Sequence, residues 1–290
     1  MRGVSLAVAL VATVPALADQ ADHDGLAALL DRAGKHVERY FARAQSLICL
    51  EVVRLQPLSA SWSSEGLGRT VESELRLSWT PPVEGGATEA QTVRQLLRVN
   101  GHKPRHNDWN NCTTPEQQSK ETPPLSLLLP AERAKYRFAL AGPARIDNLD
   151  ALLVDYWLLA KASVEASMVE GREDCVSFDL NGGTRGRLWL DAETHEVLRL
   201  DRYLNGMVEI PLPRQATRLP HNPRYWTMER WDVSIRFKRM SFTNPDETLV
   251  LPASMSSLQV TRGAGTPRLR TTTEYVKYQR FLTGGRVVGQ

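Results

Sequence analysis

The chain has 290 residues, 42% hydrophobic and 24% charged, with a formal net charge of +3 from 36 basic and 33 acidic residues. That composition is ordinary for a globular protein and excludes a disordered or collagen-like chain. The near balance of charge argues against nucleic acid as a partner, because phosphate binding needs a concentrated excess of Lys and Arg.

Residues 1–18 read MRGVSLAVALVATVPALA. Arg2 forms a positive n-region, Val4 to Val14 an apolar run, and Ala16-Leu17-Ala18 an A-x-A cleavage site. This pattern predicts a signal peptide over 1–18, cut after Ala18, and a single mature domain over 19–290. No Cys lies beside the cut, so no lipid anchor is expected. No later stretch reaches the roughly 20 apolar residues of a transmembrane span. The expected location is periplasmic or secreted. Export favours disulfides, and the three cysteines leave one thiol over. Cys49 sits in the apolar run SLICLEVV, whereas Cys112 and Cys175 lie in polar segments and are the preferred pair. Their bridge would close a loop of about 60 residues and contribute roughly 3–4 kcal/mol.

From Asp24 the apolar residues Leu26, Leu29, Leu30, Ala33, Val37 and Phe41 follow helical spacing, with Asp22 or Asp24 as a cap. The rhythm then turns to period two. Strands are expected over 46–58, around Val71 to Trp79, and over 91–99 up to the turn Asn100-Gly101. Residues 102–124 read as a long polar loop, followed by a short helix in the Pro-bounded run 124–130. The second half alternates strand and turn. Tyr136 to Leu140 alternate, 149–159 reads as a central strand, and Asn181-Gly182-Gly183 reads as a hairpin turn between 175–180 and 185–191. Strand, tight turn and strand follow through Leu188 to Leu200, then Trp231 to Lys238, and two strands near 248–261 and 267–281. One helix followed by hairpin-spaced strands predicts an α+β fold, with a curved antiparallel sheet against the helix.

No GxSxG, P-loop, HExxH or CxxC motif occurs, so no catalytic residue and no cofactor is assigned and the protein is read as not an enzyme. His102, His106, Asp108 and Cys112 are possible zinc ligands by type. Pro104 falls between the histidines, so they read as a solvated loop and no metal is expected. His195 lies in Asp191-Ala-Glu-Thr-His-Glu196, a turn more than an acid/base group. Arg262, Arg268 and Arg270 could meet an anionic headgroup, but alternate arginines also make a solvated strand face. The apolar strand residues are the remaining site candidates. Leu75, Leu77 and Trp79 share one strand face; Phe138, Tyr156 and Trp189 lie on later strands; Trp231, Val233, Ile235 and Phe237 share another. Together they either line an apolar concavity or fill the core.

The order of elements, with Val99-Asn100-Gly101 ending the third strand and Gly186-Arg-Leu-Trp189-Leu-Asp191 leading to Val197-Leu-Arg199-Leu, resembles the LolA/LolB/LppX-type carriers. The N-terminal domain of RseB-type envelope sensors shares that fold. Residues Ser234 to Lys238 and Thr248 to Pro252 are similar to the family's next strands. The chain exceeds the small carriers by polar sequence at 102–124 and 205–225 and by two final strands, and looks closer to other secreted members. The resemblance implies an incomplete antiparallel barrel wrapped around a helix, with an apolar cavity for acyl chains. It identifies no individual site residue. It implies a non-enzymatic envelope protein whose partner is a lipid or lipoprotein acyl chain, in lipoprotein transport or sensing. The alternative is a protein-interaction module with a filled core that meets an envelope protein through loops or a sheet edge. An open apolar cavity above roughly 300 Å³ separates the two.

Overall fold

The computed structural model describes residues 16–43, 47–80, 89–109, 111–116, 118–121, 123–217, 223–243 and 246–280. Most of the segment expected to be cleaved, residues 1–15, therefore lies outside the described residues.

Helix α1 runs Ala16–Arg43. It begins before Asp22 and Asp24, the expected caps, whose side chains lie outside the described residues. Its apolar stripe is buried, and Arg32, Lys35, Glu38 and Arg39 face out. The strands are β1 Leu47–Pro57, β2 Arg69–Thr80, β3 Glu89–Val99, β4 Gln118–Glu121, β5 Tyr136–Ile146, β6 Leu149–Leu158 and β7 Ser163–Val169. They continue as β8 Arg172–Asn181, β9 Thr184–Asp191, β10 Val197–Leu204, β11 Val208–Pro211, β12 Tyr225–Thr243, β13 Asp246–Arg262 and β14 Arg268–Arg280.

All strands but β7 and β8 form one antiparallel sheet, ordered β4-β3-β2-β1-β14-β13-β12-β10-β9-β6-β5, with β11 on the flank of β12. Bulges interrupt β3, β5, β10, β12, β13 and β14, and each adds local bend and twist. The sheet is curved and does not close; β4 and β5 are its ends.

On one half, α1 lays Leu29, Leu30, Ala33, Val37 and Phe41 onto Val154, Tyr156, Leu188, Leu190, Leu200 and Val233. The turn Pro124–Leu128 buries Leu125, Leu127 and Leu128 beside it. Gly186 makes this packing possible. A Cβ there would meet the Tyr156 ring and the Asp201 carbonyl. The bare backbone lets Tyr156 cross the neighbouring strand and donate its hydroxyl to that carbonyl at 2.9 Å.

Three expectations are corrected. Residues 149–159 form the strand next to the β5 edge and are not central. The described part of the 102–124 segment is not all loop: it holds a helical turn at His106–Trp109 and strand β4. Arg69 ties it to the sheet by donating to Asp108 at 3.3 Å and to the Thr114 hydroxyl at 3.0 Å.

The third concerns Asn181-Gly182-Gly183, which does not join a β8–β9 hairpin. β8 pairs with β7, while β9 pairs with β6 and β10. Gly182 and Gly183 hold φ values of 77° and 60°. There the chain is pinched against Ala160–Ala162, with the Gly183 N–H donating to the Ala160 carbonyl at 3.0 Å. From that pinch, β7 and β8 leave the sheet as a two-stranded ribbon. Its far end is fastened by the Cys112–Cys175 disulfide, whose Cα atoms are 5.3 Å apart, and by Arg172 donating to the Asn111 carbonyl. The expected cysteine pairing is therefore present, and a disulfide is consistent with an oxidising compartment. The ribbon thus ties the β6–β9 end of the sheet to the segment after β3.

Replacing both Cys112 and Cys175 by Ser removes a cross-link between residues separated by 63 positions. We expect a loss of about 3–4 kcal/mol in a urea titration; an unchanged midpoint would show that the ribbon holds without the bond.

Candidate functional site

The half of the sheet beyond α1 encloses a cavity of about 350 Å³. Period-two alternation points Leu47, Cys49, Glu51 and Val53 of β1 into it, beside Leu75 and Leu77 of β2. Ile235 and Phe237 of β12 and Met255 of β13 supply the opposite wall. The C-terminal end of α1, with Tyr40 and Phe41, and the Pro123–Leu125 segment cap it.

A fork in the sheet forms one side. The β13–β14 ladder runs only from Ser254–Glu274 to Val260–Arg268. Beyond it, β13 pairs with β12 alone and β14 with β1 alone. Pro252 has no N–H to continue the ladder. Lys277, at φ 56°, lies within a bulge, so Tyr275 and Tyr278 both face the cavity. Tyr278 donates to the Pro252 carbonyl at 2.7 Å, bridging the fork.

Polar groups interrupt this apolar lining, among them Glu51, Arg94, Thr92, Thr271 and Thr273. Glu51 is 3% exposed and accepts from Arg94 Nε at 2.8 Å. Arg94 also donates to the hydroxyls of Thr92 and Ser119, at 3.3 and 3.2 Å. Cys49 is the free cysteine and is buried. Burial, with the nearby Glu51 carboxylate adding to it, pushes its thiol up to about 12.

Of the residues singled out from sequence, Leu75, Leu77, Ile235 and Phe237 line the cavity. Tyr156 and Val233 instead belong to the core under α1, with Phe138 and Trp231 packed against it. Trp189 lies on the other face of the sheet, because its neighbours Leu188 and Leu190 point into the core. There its indole donates to Asp201 at 3.2 Å under the Arg199 guanidinium. Trp79 is on β2, but its side chain is outside the described residues.

Glu51, Arg94, Cys49, Pro252 and Tyr278 were missed. The parity of Leu47, Cys49, Glu51 and Val53 was visible in SLICLEVV and places the acid on the apolar face. Pro252 inside a strand pattern was the signal for the fork.

Elsewhere, His195 lies in the turn, at φ 61°. The Glu193 and Thr194 N–H groups donate to Asp191 at 3.0 and 2.7 Å, as an Asx turn requires. His36 lies 3.9 Å from Glu196, which is held by Arg239 at 2.7 Å. Among the described residues no group of three or more His, Cys, Asp or Glu is placed to hold a metal. No described helix is long and apolar enough to cross a membrane. Arg262 pairs with Glu229 at 2.9 Å, and Arg268 lies over the Trp62 ring.

No protein-family model and no curated protein sequence matches the chain. Three solved structures are similar to the chain at low identity. An outer membrane lipoprotein-sorting protein domain from Vibrio parahaemolyticus is 14% identical with a TM-score of 0.41, over 88% of this chain and 94% of that one. A DUF1329 family protein from Desulfovibrio piger is 10% identical with a TM-score of 0.43, over 89% and 93%. A LolA superfamily protein from Nitrosomonas europaea is 9% identical with a TM-score of 0.34, over 91% and 97%.

Two measurements test this wall. Glu51→Gln turns a charged acceptor of Arg94 Nε into a neutral one, so we expect a loss of about 1–3 kcal/mol in denaturant titration. The pair Glu51→Leu with Arg94→Met should recover most of it, and no loss in the single variant would place the pair outside the folded core. A thiol held near 12 stays protonated at pH 8. Native protein should therefore show no rise in thiol reactivity between pH 7 and 9, where an exposed Cys with a pKa of about 8.5 ionises. A rise would mean that Cys49 meets solvent.

Proposed function

We propose that the protein is exported by cleavage after Ala18, and that its single mature domain, over 19–290, acts in the cell envelope as a non-enzymatic binder of an acyl chain. The observation that carries this reading is the 350 Å³ apolar cavity on the part of the sheet that α1 leaves uncovered. That volume lies within the range of small-molecule sites. At about 30 Å³ for each methylene-sized group, as for a water molecule, it takes about a dozen carbons. Burying them gives about 0.8 kcal/mol each, or about 10 kcal/mol in all. Association costs of about 4 kcal/mol or more leave at most a net of about 6 kcal/mol, a dissociation constant in the tens of micromolar. Such affinity suits a carrier or sensor that must release its ligand.

A second reading, an envelope protein partner added at a sheet edge, has support from the open β5 edge and its Leu140, 47% exposed. Gly142 and Pro143 blunt that edge with a bulge, so the cavity is the stronger feature.

Native mass spectrometry of residues 19–290 from periplasmic expression tests the first reading. Lipid or acylated peptide should co-purify, be released on denaturation, and be lost from a folded Phe237→Asp variant. An apo mass, together with no uptake of added acyl compounds, would overturn it.

A further inference from the structure

A second space adjoins the apolar cavity. Arg94 and Pro115 line both the cavity and a neighbouring chamber of about 580 Å³. The chamber is bounded by Ser73 and Leu96 of the sheet, by Trp109 and Thr114 to Glu116 of the segment after β3, and by Ser167 to Arg172 and Ser177 of the ribbon. Its chemistry is the reverse of the cavity's: Thr114, Gln118, Ser167 and Ser177 line it together with Glu116, Glu170 and Arg172.

Arg172 is the residue that points to a ligand. Its outer nitrogen is committed to the Asn111 carbonyl, while its Nε is buried with no hydrogen-bond partner. An orphaned charged donor is costly, and an anionic oxygen would satisfy it. Glu116 and Glu170 line the same chamber; Glu116 already acts electrostatically on Arg172, and the pair of carboxylates suits a cationic group beside that anion. The adjoining cavity, at 350 Å³, has room for one chain of about a dozen carbons and not for two.

We infer that cavity and chamber form one site for a single-chain zwitterionic amphiphile of the lysophospholipid class. The acyl chain lies against Leu75, Ile235 and Phe237, the phosphate accepts from Arg172, and the ammonium faces Glu116 and Glu170. The disulfide-held ribbon is the roof over the headgroup. This inference rests on the acyl-binding reading above and adds the headgroup to it.

Displacement of a fluorescent fatty acid from the mature protein tests it, with lauroyl lysophosphatidylethanolamine, dodecyl phosphate and dodecanol as competitors. The zwitterion should bind about tenfold tighter than dodecanol, the lower end of what one charge-assisted hydrogen bond supplies. Arg172→Gln should erase that preference and leave dodecanol affinity unchanged. Glu116→Gln, an exposed change that does not threaten the fold, should erase the preference for the zwitterion over dodecyl phosphate. Equal affinity for lysophospholipid and dodecanol, or a preference that survives either folded variant, overturns the headgroup chamber and leaves acyl binding standing. Failure of every competitor and of the fatty acid itself overturns acyl binding as well.

Discussion

The packing of α1 against β6, β9, β10 and β12 divides the molecule, and most other features follow from it. A curved sheet with one apolar face must bury that face, and a single helix stripe covers only part of it. Here the stripe from Leu26 to Phe41 fills the half around Tyr156 and Leu188. The helix ends at Arg43, and the chain enters β1 at Leu47. The concave side of β1, β2 and β14 is therefore left to a short Pro-rich segment and to a cavity.

Closure of the open side falls to the ribbon. Its root is pinched by Gly182 and Gly183 beside β6 and β9, and its far end is bonded to the segment after β3. A two-stranded ribbon alone is marginally stable in water. The disulfide and the Arg172 contact compensate by fixing its outer end, while β11 meets β7 along its length. The tethered ribbon forms one wall of the polar chamber.

The cavity wall departs from the rules that govern the rest of the core. Glu51 and Arg94 face an apolar space, where a buried ion pair at best roughly repays its desolvation cost. Pro252 stops a ladder that would otherwise continue, and Tyr278 bridges the break. Beneath α1, by contrast, Val154, Leu188 and Leu190 pack with almost no exposure. Departures of this kind gather where a sequence serves binding more than stability.

Period-two and helical spacing were legible because they report on local faces: the α1 stripe, the β1 alternation and the run from Trp231 to Lys238 lie where periodicity put them. Parity states which residues share a face but not which face is inside. For that reason Trp189 was grouped with core aromatics, although Leu188 and Leu190 place it outside. Likewise the two glycines after Asn181 announced a turn without saying which strands would meet. The sequence by itself determined the helix, the antiparallel strands, the candidate cysteine pair and the apolar residues from which a cavity is built. Only the tertiary structure decided that β8 pairs with β7, that the sheet forks at Pro252, and that Arg94, paired with Glu51, borders both the cavity and the space under the ribbon. Those contacts join residues far apart in the chain, and strand order and curvature fix them, not local spacing.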